Sequence, residues 1–155
     1  MDKEKLNTFI RLLQKCQRQP SQIFDLGLVV KESKSRISNE KIFNEIKKIV
    51  DIKRIICNKS SLDEEVIDKI VEAFSKNKWV FLEIKKDIGS PLLNQLKHLA
   101  NHNSLQLLNY KGGDLSEIEM SKDSRVIVFA ERDFIENKIT YPHFYRLFGP
   151  TLSIK

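Results

Sequence analysis

The sequence predicts an α/β fold, a three-layer sandwich with a mainly parallel sheet and one inserted β-hairpin. Three observations carry that expectation. The runs Trp79-Val80-Phe81-Leu82 and Val126-Ile127-Val128-Phe129 are apolar at every position, as strands buried on both faces are. Amphipathic segments with helical spacing separate these runs. Late in the chain Gly112 and Gly113 lie between two further strand-like runs, and paired glycines supply the positive φ angles of a tight hairpin turn. Helices alternating with doubly buried strands imply a parallel sheet covered on both sides.

Each element follows from local pattern. Leu6, Phe9, Ile10, Leu13 and Cys16 recur at helical spacing, predicting an amphipathic helix over 3–18 that Pro20 terminates. Residues 26–30 read as a short buried strand, and 31–38 as a polar loop. A helix is expected over 39–50 with Ile42, Phe43, Ile46, Ile49 and Val50 on its apolar face, then a strand over 54–57. Ser61 and Glu64 have capping-box spacing ahead of a helix that buries Val66, Ile67, Ile70, Val71 and Phe74 and closes at Asn77 and Lys78. The strand over 79–84 starts at once. Ser90 and Pro91 read as a capping side chain and a first-turn proline, with Leu93, Leu96, Leu99 and Ala100 facing inward. Strands over 105–110 and 115–120 flank the glycine turn. A strand over 125–130, a short helix opened by Tyr141-Pro142 and a last strand over 152–154 complete the pattern. The organisation expected is an N-terminal helix in 1–21 and one α/β domain in 22–155.

Composition excludes several classes. With 41% apolar and 31% charged residues, the 155-residue chain is globular, not disordered. Five glycines and four prolines leave no flexible linker. No run approaches the roughly 20 apolar residues that cross a membrane, and the N-terminus lacks the apolar segment of a secretory signal. Cys16 and Cys57 lie in apolar runs, far apart in sequence, and read as reduced core residues of a cytoplasmic protein. The net charge of +6 is compatible with nucleic acid or an acidic partner, and 21 interspersed acids make it modest.

The order of features over 22–154 resembles the large subdomain of an AAA+ module, and most closely those of the dynein heavy-chain motor. The features are Lys78-Trp79-Val80-Phe81-Leu82-Glu83, a strand ending in an acid; the Pro91 helix; the Asn101-His102-Asn103 corner; the Lys111-Gly112-Gly113 turn; the Val126 strand ending near Phe129; and a Pro142-led segment carrying Arg146. The resemblance implies a P-loop NTPase-like sheet, with Lys31, Ser35, Arg36, Glu83 and Arg146 as the remnant of a nucleotide site. The departures imply a degenerate one. Where the family has a Gly-rich loop cradling phosphates, this chain has Lys31-Glu32-Ser33-Lys34-Ser35-Arg36-Ile37, without glycine and with an acid that repels phosphate. Glu83 stands at the magnesium-binding position, Ile84 where many members carry the water-activating glutamate, and Arg146 falls one residue from the arginine-finger spacing. The implied function is a non-catalytic structural or docking module of a larger ATP-driven assembly with protein partners and no required cofactor. ATP and magnesium would enter only if the degenerate site still worked. A small helical subdomain, expected after the sheet in a full unit, has no counterpart in the sequence, so a cut piece or free-standing relic is expected.

Other constellations in the sequence compete with this reading. Glu83-Ile84-Lys85 fits half of a restriction-type nuclease site, in which a carboxylate binds magnesium and a lysine orients water. A partner aspartate is missing, since Asp51 and Asp63 are poorly spaced. The alternative function is therefore a small basic nucleic-acid-binding protein using Lys34, Arg36, Lys85 and Lys86, with nuclease chemistry at Glu83 and Lys85. Tyr141, Phe144 and Tyr145 suit base stacking if exposed, but Phe144, Leu147 and Phe148 read as one apolar core face. His98 and His102 are one helical turn apart. Leu99 stands where a metalloprotease needs glutamate, and the third ligand would have to be His143 or an acid, so no metal is expected. The serines lack a nucleophile setting and neither cysteine has a histidine or CxxC partner.

Overall fold

The computed structural model describes residues 1–15, 26–108, 115–120 and 123–155. Its core is a five-stranded, all-parallel sheet made by β1 (Leu26–Lys31), β2 (Ile52–Cys57), β3 (Trp79–Ile84), β6 (Val126–Glu131) and β7 (Thr151–Ile154), in the order β2-β3-β6-β1-β7. The inserted hairpin is present as a separate antiparallel pair, β4 (Ser104–Leu108) with β5 (Leu115–Glu119). Its predicted turn at 111–114 lies outside the described residues.

Alternation along each strand sends side chains to two apolar layers. On one face Val29, Phe81, Ile127 and Phe129 meet α1 (Lys3–Lys15) and α2 (Asn39–Lys47). On the other, Leu28, Val30, Ile55, Leu82 and Val128 meet α3 (Asp63–Ser75) and α4 (Ser90–His102), the hairpin residues Leu105 and Met120, and the 3₁₀ turn Phe144–Leu147. The first face centres on Phe43, Phe81 and Phe129, with ring centroids 5.5 and 5.3 Å apart. Burying each of the two strand phenylalanines contributes about 1.5–3 kcal/mol. Close approach of α1 depends on Gly27: a Cβ there would lie 2.7 Å from Phe9 and 2.8 Å from Leu13.

Helix termini differ from the sequence expectation in instructive ways. The helix over 39–50 ends at Lys47, and Ile49, expected on the buried face, is 41% exposed because the chain is already turning toward β2. No capping box forms at Ser61 and Glu64. Leu62 is the N-cap, while the Ser61 hydroxyl donates to the Ile56 carbonyl (3.1 Å) and accepts from the Asn58 amide (3.2 Å), closing the β2–α3 turn. Ser90 does not cap its helix either, since it is already the first helical residue. The cap is supplied from a distance: buried Asp63 accepts from the Leu92 amide at 3.2 Å and pairs with Lys86 at 3.5 Å. Leu92, four residues before Leu96, is fully buried, whereas Leu93 is half-buried.

Asn77 ends α3 as expected. Its left-handed φ of 56° lets the Asn77 and Lys78 amides return to the carbonyls of Phe74 and Ala73 (3.1 and 3.0 Å). Cys16 and Pro20 lie outside the described residues. The helix opened by Pro142 is only the 3₁₀ turn, and α5 (Arg132–Lys138), too short to show a period, has no counterpart in the sequence reading. The hairpin is clasped to α4 by one side chain. The Gln95 amide donates to the Gln106 carbonyl (2.6 Å) and its oxygen accepts from the Gln106 N–H (2.9 Å). No helix among the described residues is long and apolar enough to cross a membrane.

Removing the remote cap tests this account. Asp63→Ala is expected to cost about 1–2 kcal/mol in urea unfolding, because it strands a helix-terminal amide and the Lys86 ammonium. Gly89→Ala acts on the same contact, since its Cβ would sit 2.6 Å from Asp63 Oδ2.

Candidate functional site

In open parallel sheets the ligand crevice lies at the carboxyl ends of the strands, where neighbouring connections leave toward opposite faces. Here that point falls between β1, whose chain continues into α2 on one face, and β6, whose chain continues on the other. A cleft of about 330 Å³ opens beside it, lined by Asn39, Glu83, Ile84, Lys85, Phe129, Glu131 and Phe134.

Glu83 is its centre. The alternation of β3 points this carboxylate to the α2 side, just beyond the aromatic layer, and its side chain is 1% exposed. Both oxygens are engaged. Asn39, at the start of α2, donates from Nδ2 to Oε1 at 2.6 Å. Arg54, from the adjacent β2, places Nε and Nη2 at 2.9 and 2.8 Å from Oε2, with its guanidinium 5.9 Å from the Phe43 ring centroid. Lys31 continues the chain, donating from Nζ to Asn39 Oδ1 at 3.1 Å, and Lys85 Nζ stands 3.7 Å from Glu83 Oε1. A buried carboxylate is tolerated because it is matched in this way.

The loop over 32–38 is tied down by a second cluster. The Glu32 carboxylate receives Arg132 Nε and Nη2 at 2.7 and 2.8 Å and the Ser153 hydroxyl. These bonds, the arginine's first, hold the Glu32 carboxyl down from 4.5 to about 2. The loop is thereby fastened to α5 and to β7.

The structure brings Lys31, Glu83 and Lys85 together and leaves other candidates apart. Ser35 is half-buried, and its hydroxyl accepts from the Ile37 amide at 3.4 Å. Lys34 and Arg36 are exposed. Arg146 is exposed on the 3₁₀ turn, and the arginine that reaches the loop is Arg132. Lys86 points away from Lys85, donating to the Ser61 carbonyl at 2.6 Å. Phe144, Leu147 and Phe148 are buried as one apolar face, while Tyr145 stays exposed and Tyr141 carries Lys97 over its ring at 4.7 Å. The His98 and His102 rings lie tilted at 38° with centroids 4.5 Å apart, with His98 Nε2 3.4 Å from Glu117 but without hydrogen-bond alignment. Among the described residues no three donors gather as a metal site. Burial pushes the Cys57 thiol up, away from thiolate chemistry.

The donor set around Glu83 does not fit magnesium. The ion needs several free oxygens, and here both carboxylate oxygens face an amide and a guanidinium, with two lysines close by. The same holds for nuclease chemistry at Glu83 and Lys85: among the described lining residues the one other carboxylate is the exposed Glu131. Arg54, Asn39 and Arg132 were missed by sequence reasoning. The available signal for Arg54 was the pair Lys53-Arg54 inside the otherwise apolar second strand. No protein-family model matches the chain, and no curated protein matches it.

Breaking the cluster on one side is expected to be costly. Arg54→Ala strips the guanidinium from Oε2 of a buried carboxylate and should lose about 3–5 kcal/mol in chemical denaturation, while the paired change Arg54→Met with Glu83→Leu should return to within about 1 kcal/mol of the parent. Glu32 generates a pH prediction. Its lowered carboxyl adds stability that is complete above pH 4.5 and is lost as the pH falls toward about 2, because the unfolded chain takes up the proton first. In unfolding measured across that window, Glu32→Gln should show a flatter acid limb than the parent.

Proposed function

We propose that this chain is a non-hydrolysing, AAA+-like module that serves as a structural or docking part of a larger assembly and works through protein partners. The observation that carries the reading is the internal neutralisation of Glu83. In the resembled modules the acid ending this strand holds a nucleotide's magnesium. Here Arg54 and Asn39 take its oxygens. Further support comes from β3 lying between β2 and β6, from the hairpin inserted between α4 and β6, and from the cross-bracing of the glycine-free loop by Glu32, Arg132 and Ser153.

Thermal unfolding with Mg-ATP and Mg-ADP tests the proposal. A nucleotide at about a hundredfold excess over its dissociation constant adds about 2.7 kcal/mol, a rise of roughly 5–10 °C for a domain of this size. The expected result is an unchanged melting temperature and no phosphate release. A nucleotide-dependent rise that Arg36→Ala or Glu83→Gln abolishes would overturn the reading.

A further inference from the structure

At the opposite, amino end of the sheet, four lysines converge on one small cavity. Lys53 comes from β2, Lys69 from α3, Lys76 from the residue capping α3, and Lys78 from the residue leading into β3. With Glu72 and Ala73 they line a space of about 50 Å³, the size of a single small anion. Two carboxylates answer two of the ammonium groups: Glu72 holds Lys76 at 3.0 Å, and Asp51 stands 4.0 Å from Lys78. Lys53 and Lys69 form no ion pair with a described carboxylate. The crowding is felt by Glu72, whose carboxyl is lowered first by the Lys76 hydrogen bond and then by the charges of Lys76, Lys53 and Lys78. Lys47 and Lys48, at the end of α2, are not part of this lining, and Glu45 holds Lys48 at 2.9 Å.

We infer that this lysine cradle binds the phosphate backbone of nucleic acid. Convergent cations with too few counter-charges repel one another unless an anion lies among them. Four ammonium groups from β2, α3 and the segment leading into β3 are more than one phosphate needs, which suits a repeating polyanion. Its cations are lysines, point charges without the planar fork that reads a guanine edge, so binding is independent of sequence. The cavity lining holds no exposed apolar side chain to enter a lipid surface. The inference uses residues remote from the Glu83 cleft and stands apart from the module reading.

The test is fluorescence anisotropy of the full chain with a labelled duplex of about 20 base pairs, at about 50 mM and about 200 mM salt. Lys53→Gln with Lys69→Gln should weaken binding about tenfold at the lower salt and reduce the slope of log affinity against log salt by about two. Neither ammonium group pairs with a described carboxylate, so the melting temperature of this variant should match the parent and separate lost binding from lost folding. Lys34→Gln with Arg36→Gln, at the far end of the sheet, should leave affinity and slope unchanged. Three results would overturn the inference: no binding by the parent, as when the edge lysines only guard β2 from strand pairing; equal or greater loss from the Lys34–Arg36 pair; or binding to phosphatidylserine vesicles in place of the duplex.

Discussion

A parallel sheet with apolar side chains on both faces must be covered twice, and most of this molecule answers that requirement. Up to their last residues, Glu131 and Lys31, the central strands β6 and β1 are buried on both faces, and β3 is buried throughout. One layer is made by α1 and α2 and the other by α3, α4, the hairpin and the 3₁₀ turn. Crossovers between parallel strands are right-handed, so placing α2 on one face and the later helices on the other makes the chain reverse its direction of travel across the sheet. That reversal sets β1 beside β6 and creates the crevice at their carboxyl ends. The location of the candidate site is thus a by-product of covering the sheet.

The same geometry decides what the crevice contains. Glu83 follows Phe81 on one face of β3, so it lies at the boundary between the aromatic layer and solvent. A carboxylate at that depth needs partners. The neighbouring strand offers Arg54 and the first turn of α2 offers Asn39, both already positioned by the packing of Phe43 against Phe81. A group that would otherwise hold a cation is consumed by the scaffold. Free positive charge accumulates instead at the amino end of β2 and β3, where lysines outnumber the acids in reach.

Legibility in the sequence followed the range of the interactions. Runs apolar at every position, such as 79–82, announced a covered parallel sheet, and the glycine-flanked runs announced the hairpin. Short-range signals were less secure. Pro91 does sit in the first turn of α4, but Ser61 and Ser90 have the composition of caps and do not act as caps: Asp63, 29 residues from Leu92, supplies one cap and Ser61 closes a turn instead. Ile49 obeyed the helical period on paper and lost its place because the helix stopped first. At the site, Glu83 and Lys31 stood out because each ends an apolar strand. Arg54, Asn39 and Arg132 did not, since their importance arises from strand order and register, which local pattern does not encode.

The clasp between Gln95 and Gln106 has a mechanical meaning. A single carboxamide answers both backbone hydrogen-bonding groups of one residue, much as a neighbouring strand would. With Leu105 and Met120 rooted in the same layer as Leu96 and Leu99, the ribbon and its helix behave as one lever. Force carried along the two strands would be passed into α4 instead of being absorbed by slack at the joint.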